Sequence, residues 1–149
     1  MSATNDDILR EAIVREAKSW LGTPFHDCSG VKGAGVDCAH LLLKTFVAVG
    51  KIPDVPIKPY KPQWFLHRKE PLFLQELKER GAREVDIAAA LPGDVLMYDF
   101  GIHAAHGAIV VDANTIIHAY KPAKCVCLGS RREFAAKFDS AWSLFGDTP

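Results

Sequence analysis

Apolar residues follow a helical repeat in the first third of the chain. A first helix is predicted after Asn5 or Asp6, because either side chain can accept the free N–H groups of a first helical turn, and Gly22 ends it. The apolar positions at near-helical spacing are Ile8, Ile13, Ala17, Trp20 and Leu21. The pattern therefore predicts an amphipathic helix near the N-terminus.

A glycine-rich stretch separates this helix from a second one. Residues 22–37 read "GTPFHDCSGVKGAGVD" and hold too many glycines for a regular element, so they are predicted to form a loop. In the following "CAHLLLKTFVAVG", residues at helical spacing fall on the same side as Cys38, and Gly50 ends this helix. The positions on that side are Leu41, Leu42, Thr45, Phe46 and Val49. A largely buried second helix is predicted, with Cys38 in its first turn.

Prolines, and then short β-branched runs, mark the rest of the chain. Four prolines in residues 51–62 exclude a helix or an inner strand, whereas residues 70–81 predict a third helix that ends at Gly81. Residues 131–138 predict a short helix and residues 140–145 a last strand. Consecutive antiparallel strands are predicted at Val95–Phe100, His106–Val111, Thr115–Tyr120 and Lys124–Leu128. The fold class is therefore α+β, with N-terminal helices packed on a C-terminal antiparallel sheet.

Composition narrows the class of protein. With 149 residues and 48% hydrophobic content, the chain is long enough to bury a core and short enough to be a single domain, residues 1–149. Eighteen basic residues balance eighteen acidic ones, which argues against nucleic acid or an anionic membrane as a partner. The polar N-terminus is unlike a signal peptide, and no stretch approaches the ~18 apolar residues of a membrane span. We therefore expect synthesis in the cytoplasm, where the four cysteines stay thiols.

Of these cysteines, Cys38 has the stronger case for a nucleophile. A thiol attacks as its thiolate, and a helix N-terminus or a histidine partner lowers its pKa from about 8.5. Asp37 lies where the cap of the second helix belongs, so Cys38 is expected to face the positive end of that helix. Cys28 lies in irregular chain. A buried core cysteine remains the alternative interpretation of Cys38.

Two histidines fall on neighbouring predicted strands. His106 opens "HGAIVV" and His118 lies within "TIIHAY", and a turn at "DANT" brings the two strands side by side. Cysteine catalysis needs a base within hydrogen-bond reach and a third polar group that orients the base. Each histidine alone is more often structural, but together with a cysteine at a helix N-terminus they favour a catalytic site.

The segments "GTPFHDCSGVKGAGVDCAHLLL", "LPGDVLMYDF", "HGAIVV" and "IIHAY", in this order, carry a family resemblance. They resemble the NlpC/P60 family of papain-like cysteine peptidases, and in particular its bacteriophage tail-associated branch, from about Trp20 to Tyr120. Many members spell the nucleophile Asp-Cys-Ser-Gly, which is residues 27–30 here. The family's cysteine opens the buried helix, however, and Cys38 meets that condition after Gly-Val-Asp.

The resemblance implies a role for each site residue. Cys38 is similar to the nucleophile, His106 to the general base and His118 to the residue that orients the base. Substrate-binding positions are expected at Phe25, Asp37, His40 and His103. Phe25 stands where an aromatic residue follows Gly-Thr-Pro, and His40 replaces a small residue. No metal or cofactor is expected.

The resemblance also implies a substrate and a setting. Family members hydrolyse amide bonds in bacterial cell-wall peptides, typically between D-glutamate and a diamino acid. Peptidoglycan stem peptides are thus the expected substrate, phage tail proteins are the expected partners, and the virion tail is the expected location.

Two other classes of function stay open. A zinc hydrolase would use His103, His106 and His118, since a His-x-x-His pair with a distant third ligand is chemically reasonable. A non-catalytic phage tail assembly protein would keep the fold without the chemistry. The presence of Cys38 together with two suitably placed histidines favours the enzyme.

Overall fold

The structure, a computed structural model, describes residues 4–54, 72–100 and 105–146. Within these ranges the helices are α1 (Asn5–Lys18), α2 (Cys38–Ala48) and α3 (Leu72–Glu79). The strands are β1 (Gly30–Val31), β2 (Gly35–Val36), β3 (Arg83–Val85), β4 (Val95–Asp99), β5 (Ala105–Val110), β6 (Thr115–Tyr120), β7 (Cys125–Ser130) and β8 (Phe138–Ser143). None of the described helices has the length and apolar character needed to cross a membrane.

The larger sheet is antiparallel, and its central strands follow one another in the chain. Its six strands lie in the order β3-β8-β4-β5-β6-β7, so the four consecutive strands predicted from the sequence are confirmed as neighbours. The predicted last strand is β8, which lies between β3 and β4 rather than at the end of the series. The sequence patterns missed β3 and the small hairpin of β1 and β2, because elements of two or three residues are too short to show a period.

The predicted helices are also present, with one change at a cap. Asp37 caps α2 as predicted, and its Oδ1 accepts the N–H of His40 at 2.9 Å. The cap of α1 is Thr4, however, not Asn5 or Asp6. Thr4 Oγ1 accepts the N–H of Asp7 at 3.0 Å, and Asp7 accepts the N–H of Thr4 at 3.1 Å. This reciprocal pair of bonds satisfies two N–H groups at once, so it fixes the start of the helix one residue earlier.

Two predicted segments are only partly described. Of the proline-rich stretch 51–62, residues 51–54 form neither helix nor strand, and the remainder lies outside the described residues. In the third predicted helix, α3 ends at Glu79, shortly before Gly81, whose φ of 101° is easily adopted only by glycine. The short helix predicted at 131–138 is a single 3₁₀ turn at Ala135–Lys137.

The two faces of the sheet pack against different partners. The helical face carries Val95, Met97 and Ile109 and packs on α1, α2 and α3. The opposite face carries Leu96 and Tyr98 and is covered by the side chain of Phe134. We call this second side the aromatic face. Alternate residues of each strand thus belong to different cores, as the pleat of a strand requires.

A buried ion pair joins α1 to the turn before β4. Nη1 of Arg10 donates to Oδ1 of Asp94 at 2.8 Å and to the carbonyl of Pro92 at 3.0 Å. The other carboxylate oxygen of Asp94 accepts the N–H of Leu91 at 2.9 Å. Asp94 is 2% exposed, so each of these bonds replaces hydration that the carboxylate has lost. The pair therefore holds α1 in place against the sheet.

We predict that Asp94→Ala lowers the free energy of unfolding by about 2 to 3 kcal/mol, because it removes the charged partner of the Arg10 guanidinium and leaves the N–H of Leu91 without its acceptor. Denaturant titration followed by circular dichroism measures the change. The matched control is Asp86→Ala, since Asp86 is exposed and caps no helix through its side chain. Equal stability losses in the two variants would contradict the structural role of the ion pair.

Candidate active site

Cys38 is the first residue of α2, and its sulfur faces backbone N–H groups. Gly107 of β5 and Ala39 contribute N–H groups to the sulfur, together with the N–H of Cys38 itself. Cys38 keeps a partly exposed surface, although protein atoms surround its sulfur and it packs against the helical face. The predicted position of this cysteine at a helix N-terminus is therefore confirmed.

The ionisation of this thiol differs from the expectation. The pKa of Cys38 is raised to about 12, chiefly by burial and next by the negative charge of Asp37, and the backbone N–H groups offset these effects only in part. The expected acidic thiol is therefore wrong for this state of the protein. Asp37 caps the helix as predicted, but the same carboxylate opposes a negative charge on the neighbouring sulfur. Loss of water around the sulfur has the larger effect.

His106 and His118 form a direct hydrogen bond, and we call them the imidazole pair. Nε2 of His106 lies 2.7 Å from Nδ1 of His118, and both residues are buried. The pKa of His106 is lowered to about 3, first by burial and then by His118, and burial lowers the pKa of His118 to about 4. Both imidazoles are therefore neutral at pH 7. If Nε2 of His106 donates this bond, its Nδ1 is left as an unprotonated nitrogen.

Aromatic rings hold the imidazole pair on the aromatic face. Tyr120 stacks on His118 with ring centroids 4.8 Å apart, and Phe100 stacks on His106 at 5.1 Å. Phe134 packs edge-on against His118 at 5.6 Å. Sequence reasoning missed these rings. The two-residue spacing of Tyr120 from His118 on one strand was a usable signal, whereas no local pattern identifies Phe134, which comes from a turn.

The strands β5 and β6 separate next to Cys38. Their pairing consists of Ile109 with Ile117 and Val110 with Ile116 and stops there, although both strands continue. The N–H of Val111 donates to β6. Every second residue of a strand directs its N–H toward the same neighbouring strand, so the N–H of Gly107 also points toward β6. It meets the Cys38 sulfur instead of a strand carbonyl. We call this place the β5–β6 opening.

The structure thus brings two of the three predicted catalytic residues into contact and places the third close by. The sulfur of Cys38 lies at Gly107, the residue after His106. No hydrogen bond joins the thiol to either imidazole in the part of the chain that the structure describes. The sulfur approaches from the helical face, and the imidazole pair lies on the aromatic face. The catalytic assignment of all three residues remains a prediction.

Three of the four predicted substrate-binding residues, Phe25, Asp37 and His40, lie at the start of α2 or next to it. Asp37 is buried, and its Oδ2 accepts the N–H of Cys28 at 2.7 Å. Nδ1 of His40 lies 2.8 Å from Oδ1 of Asp37, so the His40 ring turns toward this carboxylate. Phe25 is half-buried and forms a bridge to Val36. His103 lies outside the described residues.

All four cysteines are thiols, as predicted. Cys28 is exposed, and its φ of 58° is unusual for a residue other than glycine. Its pKa is raised by burial first and then by the charges of Asp37 and Asp27. Cys127 lies opposite His118 in the register of β6 and β7. The residues that the structure describes contain no group of three potential metal ligands. The zinc hypothesis needs His103, so it stays a prediction.

Comparisons with known proteins agree on the fold. No protein-family model matches the sequence, and no curated protein matches it significantly. Solved structures do match. The NlpC/p60 domain of the peptidoglycan hydrolase SagA is 24% identical, with a TM-score of 0.63 over 90% of this chain and 97% of that one. The peptidoglycan hydrolase RipB from Mycobacterium tuberculosis is 20% identical, with a TM-score of 0.67 over 99% of this chain and 70% of that one.

A third match carries the same fold without the activity. RipD from Mycobacterium tuberculosis, described as a non-catalytic NlpC/p60 domain protein adapted to peptidoglycan binding, is 12% identical. Its TM-score is 0.60 over 90% of this chain and 95% of that one. Identities this low support a shared architecture, and they leave the chemistry to the side chains of the site. This chain has the α+β fold of NlpC/P60 domains.

Proposed function

We propose that this protein is a cysteine peptidase that hydrolyses amide bonds in the peptides of bacterial peptidoglycan. The observation that carries the proposal is the imidazole pair, whose two rings are joined by a hydrogen bond of 2.7 Å. His106 of this pair directly precedes Gly107, whose N–H faces the Cys38 sulfur. A buried pair of imidazoles beside a helix-terminal thiol has the components of a nucleophile, a base and an orienting group. The shared NlpC/P60 fold supports the same assignment.

The proposed reaction begins with the transfer of the Cys38 proton to Nδ1 of His106. The sulfur attacks the carbonyl carbon of the peptide, and the backbone N–H of Cys38 helps to hold the oxygen, which becomes negative. His106 then gives its proton to the leaving amine, and a thioester remains on Cys38. Water, deprotonated by His106, hydrolyses this thioester, and His106 gives that proton to the departing Cys38 sulfur. The thiol is thus restored, and the product leaves as a carboxylic acid that ionises in solution. By accepting the Nε2–H of His106, His118 keeps Nδ1 of His106 as the nitrogen that takes up and gives back the proton in each step.

The pKa values of the free protein give this proposal a further feature. Burial keeps Cys38 as a thiol and both imidazoles neutral at pH 7, so no ion pair exists before substrate binds. The proton must therefore leave the sulfur as the sulfur attacks. The imidazole and the sulfur must also come within hydrogen-bond distance in the substrate complex, as catalytic groups often do only when ligand is bound. The β5–β6 opening is the path by which they meet.

The finer features of the substrate and setting rest on the sequence resemblance. They are cleavage between D-glutamate and a diamino acid, association with phage tail proteins, and a location in the virion tail. In this proposal Phe25, Asp37, His40 and His103 contact the stem peptide.

The second candidate is a non-catalytic protein on the same fold, such as a phage tail assembly protein. Two observations favour it. Cys38 has a raised pKa and no hydrogen bond to His106, and RipD shares the fold while being described as non-catalytic. The two candidates differ in one measurable property, the turnover of peptidoglycan peptides.

We predict that the protein cleaves purified stem peptides that contain the D-glutamyl–diamino acid bond, with products identified by mass spectrometry. Cys38→Ala and His106→Ala are each expected to lower the rate by several orders of magnitude, because the nucleophile and its base act as a unit. His118→Ala is expected to lose less, since water can partly replace an orienting group.

The matched control is Cys28→Ala, which removes the cysteine of the loop before α2 and is expected to retain activity. Undiminished turnover in His106→Ala would refute the proposed base. Binding of stem peptides without any turnover by the unmodified protein would favour the non-catalytic candidate.

We predict that brief treatment with limiting iodoacetamide at pH 8 labels Cys28 before Cys38. Cys28 is exposed, whereas burial both shields Cys38 and raises its pKa to about 12. Peptide mapping by mass spectrometry measures the order of labelling, and Cys28→Ser tests whether Cys38 reacts slowly by itself. Preferential labelling of Cys38 at pH 6, in step with loss of activity, would show that its thiol is acidic after all.

We predict that kcat/KM stays constant as the pH falls from 8 to 5 and decreases only below about pH 4. The base must be unprotonated, and His106 stays unprotonated above its lowered pKa of about 3. An ordinary histidine would lose half its effect near pH 6.5. Circular dichroism at each pH shows whether the protein is still folded, and only those pH values enter the profile. His26→Asn, which removes an exposed imidazole, should give the same profile, and a midpoint near pH 6.5 in the unmodified protein would contradict the buried, neutral base.

A further inference from the structure

Gly129 of β7 occupies a strand position at which the backbone does not demand glycine. Its φ does not lie in the left-handed region, unlike those of Gly22, Gly33, Gly50 and Gly93. Glycine inside a strand weakens the strand because it has more freedom to lose and no side chain to pack. A glycine that the backbone does not require often marks a place where another group approaches closely.

The group that approaches Gly129 is the imidazole of His118. Gly129 lies opposite Ile116 in the register of β6 and β7, so it is diagonal to His118 on the same side of the sheet. A Cβ atom at position 129 would lie 2.9 Å from Nε2 of His118 and 3.4 Å from its Cε1. The first distance is shorter than a carbon–nitrogen contact allows, so a methyl group there would displace the ring.

The ring has little freedom to move away without loss of its other contacts. Its Nδ1 is held by Nε2 of His106 at 2.7 Å. Tyr120 lies parallel to it, with an interplanar angle of 6°, and Phe134 packs against it edge-on. A ring held by a hydrogen bond and two aromatic neighbours must break at least one of these contacts to make room for a methyl group. The bond to His106 is the contact that the proposed chemistry needs.

We infer that Gly129 is a positioning residue, which sets the orientation of His118 and through it the tautomer and orientation of His106. The absence of a side chain at this one position lets the Nε2 edge of the His118 ring approach β7, with Nδ1 toward His106. This inference rests on the proposed function for its effect on turnover, but its effect on the imidazole pair is independent of any activity.

The test compares Gly129→Ala with Gly146→Ala in the full chain. A Cβ at Gly146 would meet nothing within 4 Å, so this control adds the same methyl group without a contact. Gly129→Ala is expected to lower kcat about ten- to a hundredfold with less than a twofold change in KM, since a displacement of ~1 Å can have an effect of this size. Gly146→Ala is expected to keep the rate of the unmodified protein. An unchanged kcat in Gly129→Ala, with an active unmodified protein, overturns the inference.

A double variant separates positioning from a general effect on the fold. In a His118→Ala background the imidazole is absent, so adding Gly129→Ala is expected to lower neither turnover nor the melting temperature any further. If Gly129→Ala alone fails to fold, His118→Ala/Gly129→Ala is expected to fold again. A methyl group that is equally damaging with and without His118 overturns the inference.

Proton NMR reads out the imidazole pair without any turnover. The bond between His106 and His118 is expected to give an imidazole N–H signal at low field that is present in Gly146→Ala and shifted or lost in Gly129→Ala. An unchanged signal in Gly129→Ala overturns the inference. This readout needs no substrate. If the protein fails to cleave stem peptides, the proposed function is refuted, but the NMR signal still tests whether Gly129 positions the imidazole pair.

Discussion

The amino end of α2 meets the sheet where β5 and β6 separate, and the candidate site depends on this arrangement. The N–H of Gly107 is released from strand pairing and faces the Cys38 sulfur. If the two strands paired along their whole length, this N–H would bond to a carbonyl of β6 and the sulfur would meet a closed sheet. The β5–β6 opening is therefore what leaves the N–H of Gly107 available to the sulfur of a helix packed on the helical face.

Burial has a larger effect on the charges at this site than the helix does. The N-terminus of α2 and its N–H groups favour a thiolate at Cys38, but loss of hydration and the charge of Asp37 outweigh them. The same loss of water keeps His106 and His118 neutral. A site of this kind stores its reactive groups in uncharged forms. In the proposed reaction it becomes reactive when a substrate supplies the carbonyl on which the negative charge can develop.

The fold alone leaves the activity undecided. Structures with this architecture include peptidoglycan hydrolases and a domain described as non-catalytic, at comparable TM-scores. The difference between these classes must therefore lie in a few side chains and their spacing. In this chain the imidazole pair, its aromatic neighbours and the room left by Gly129 form one continuous arrangement on the aromatic face. Hydrophobic packing by itself does not require two hydrogen-bonded imidazoles, so this arrangement favours a chemical role.

The local features could be predicted from the sequence: α2 with its cap at Asp37, the four central strands, and the neighbouring positions of His106 and His118. These follow from periodicity, capping and turn chemistry, which act over a few residues. Packing in three dimensions set the place of β8 between β3 and β4, the opposite faces of the sulfur and the imidazoles, and the room that Gly129 leaves. It also decided the protonation of the site, against the expectation from the helix N-terminus. The physical reason is that desolvation and contact across strands depend on residues far apart in the chain, and no local pattern records which of them become neighbours.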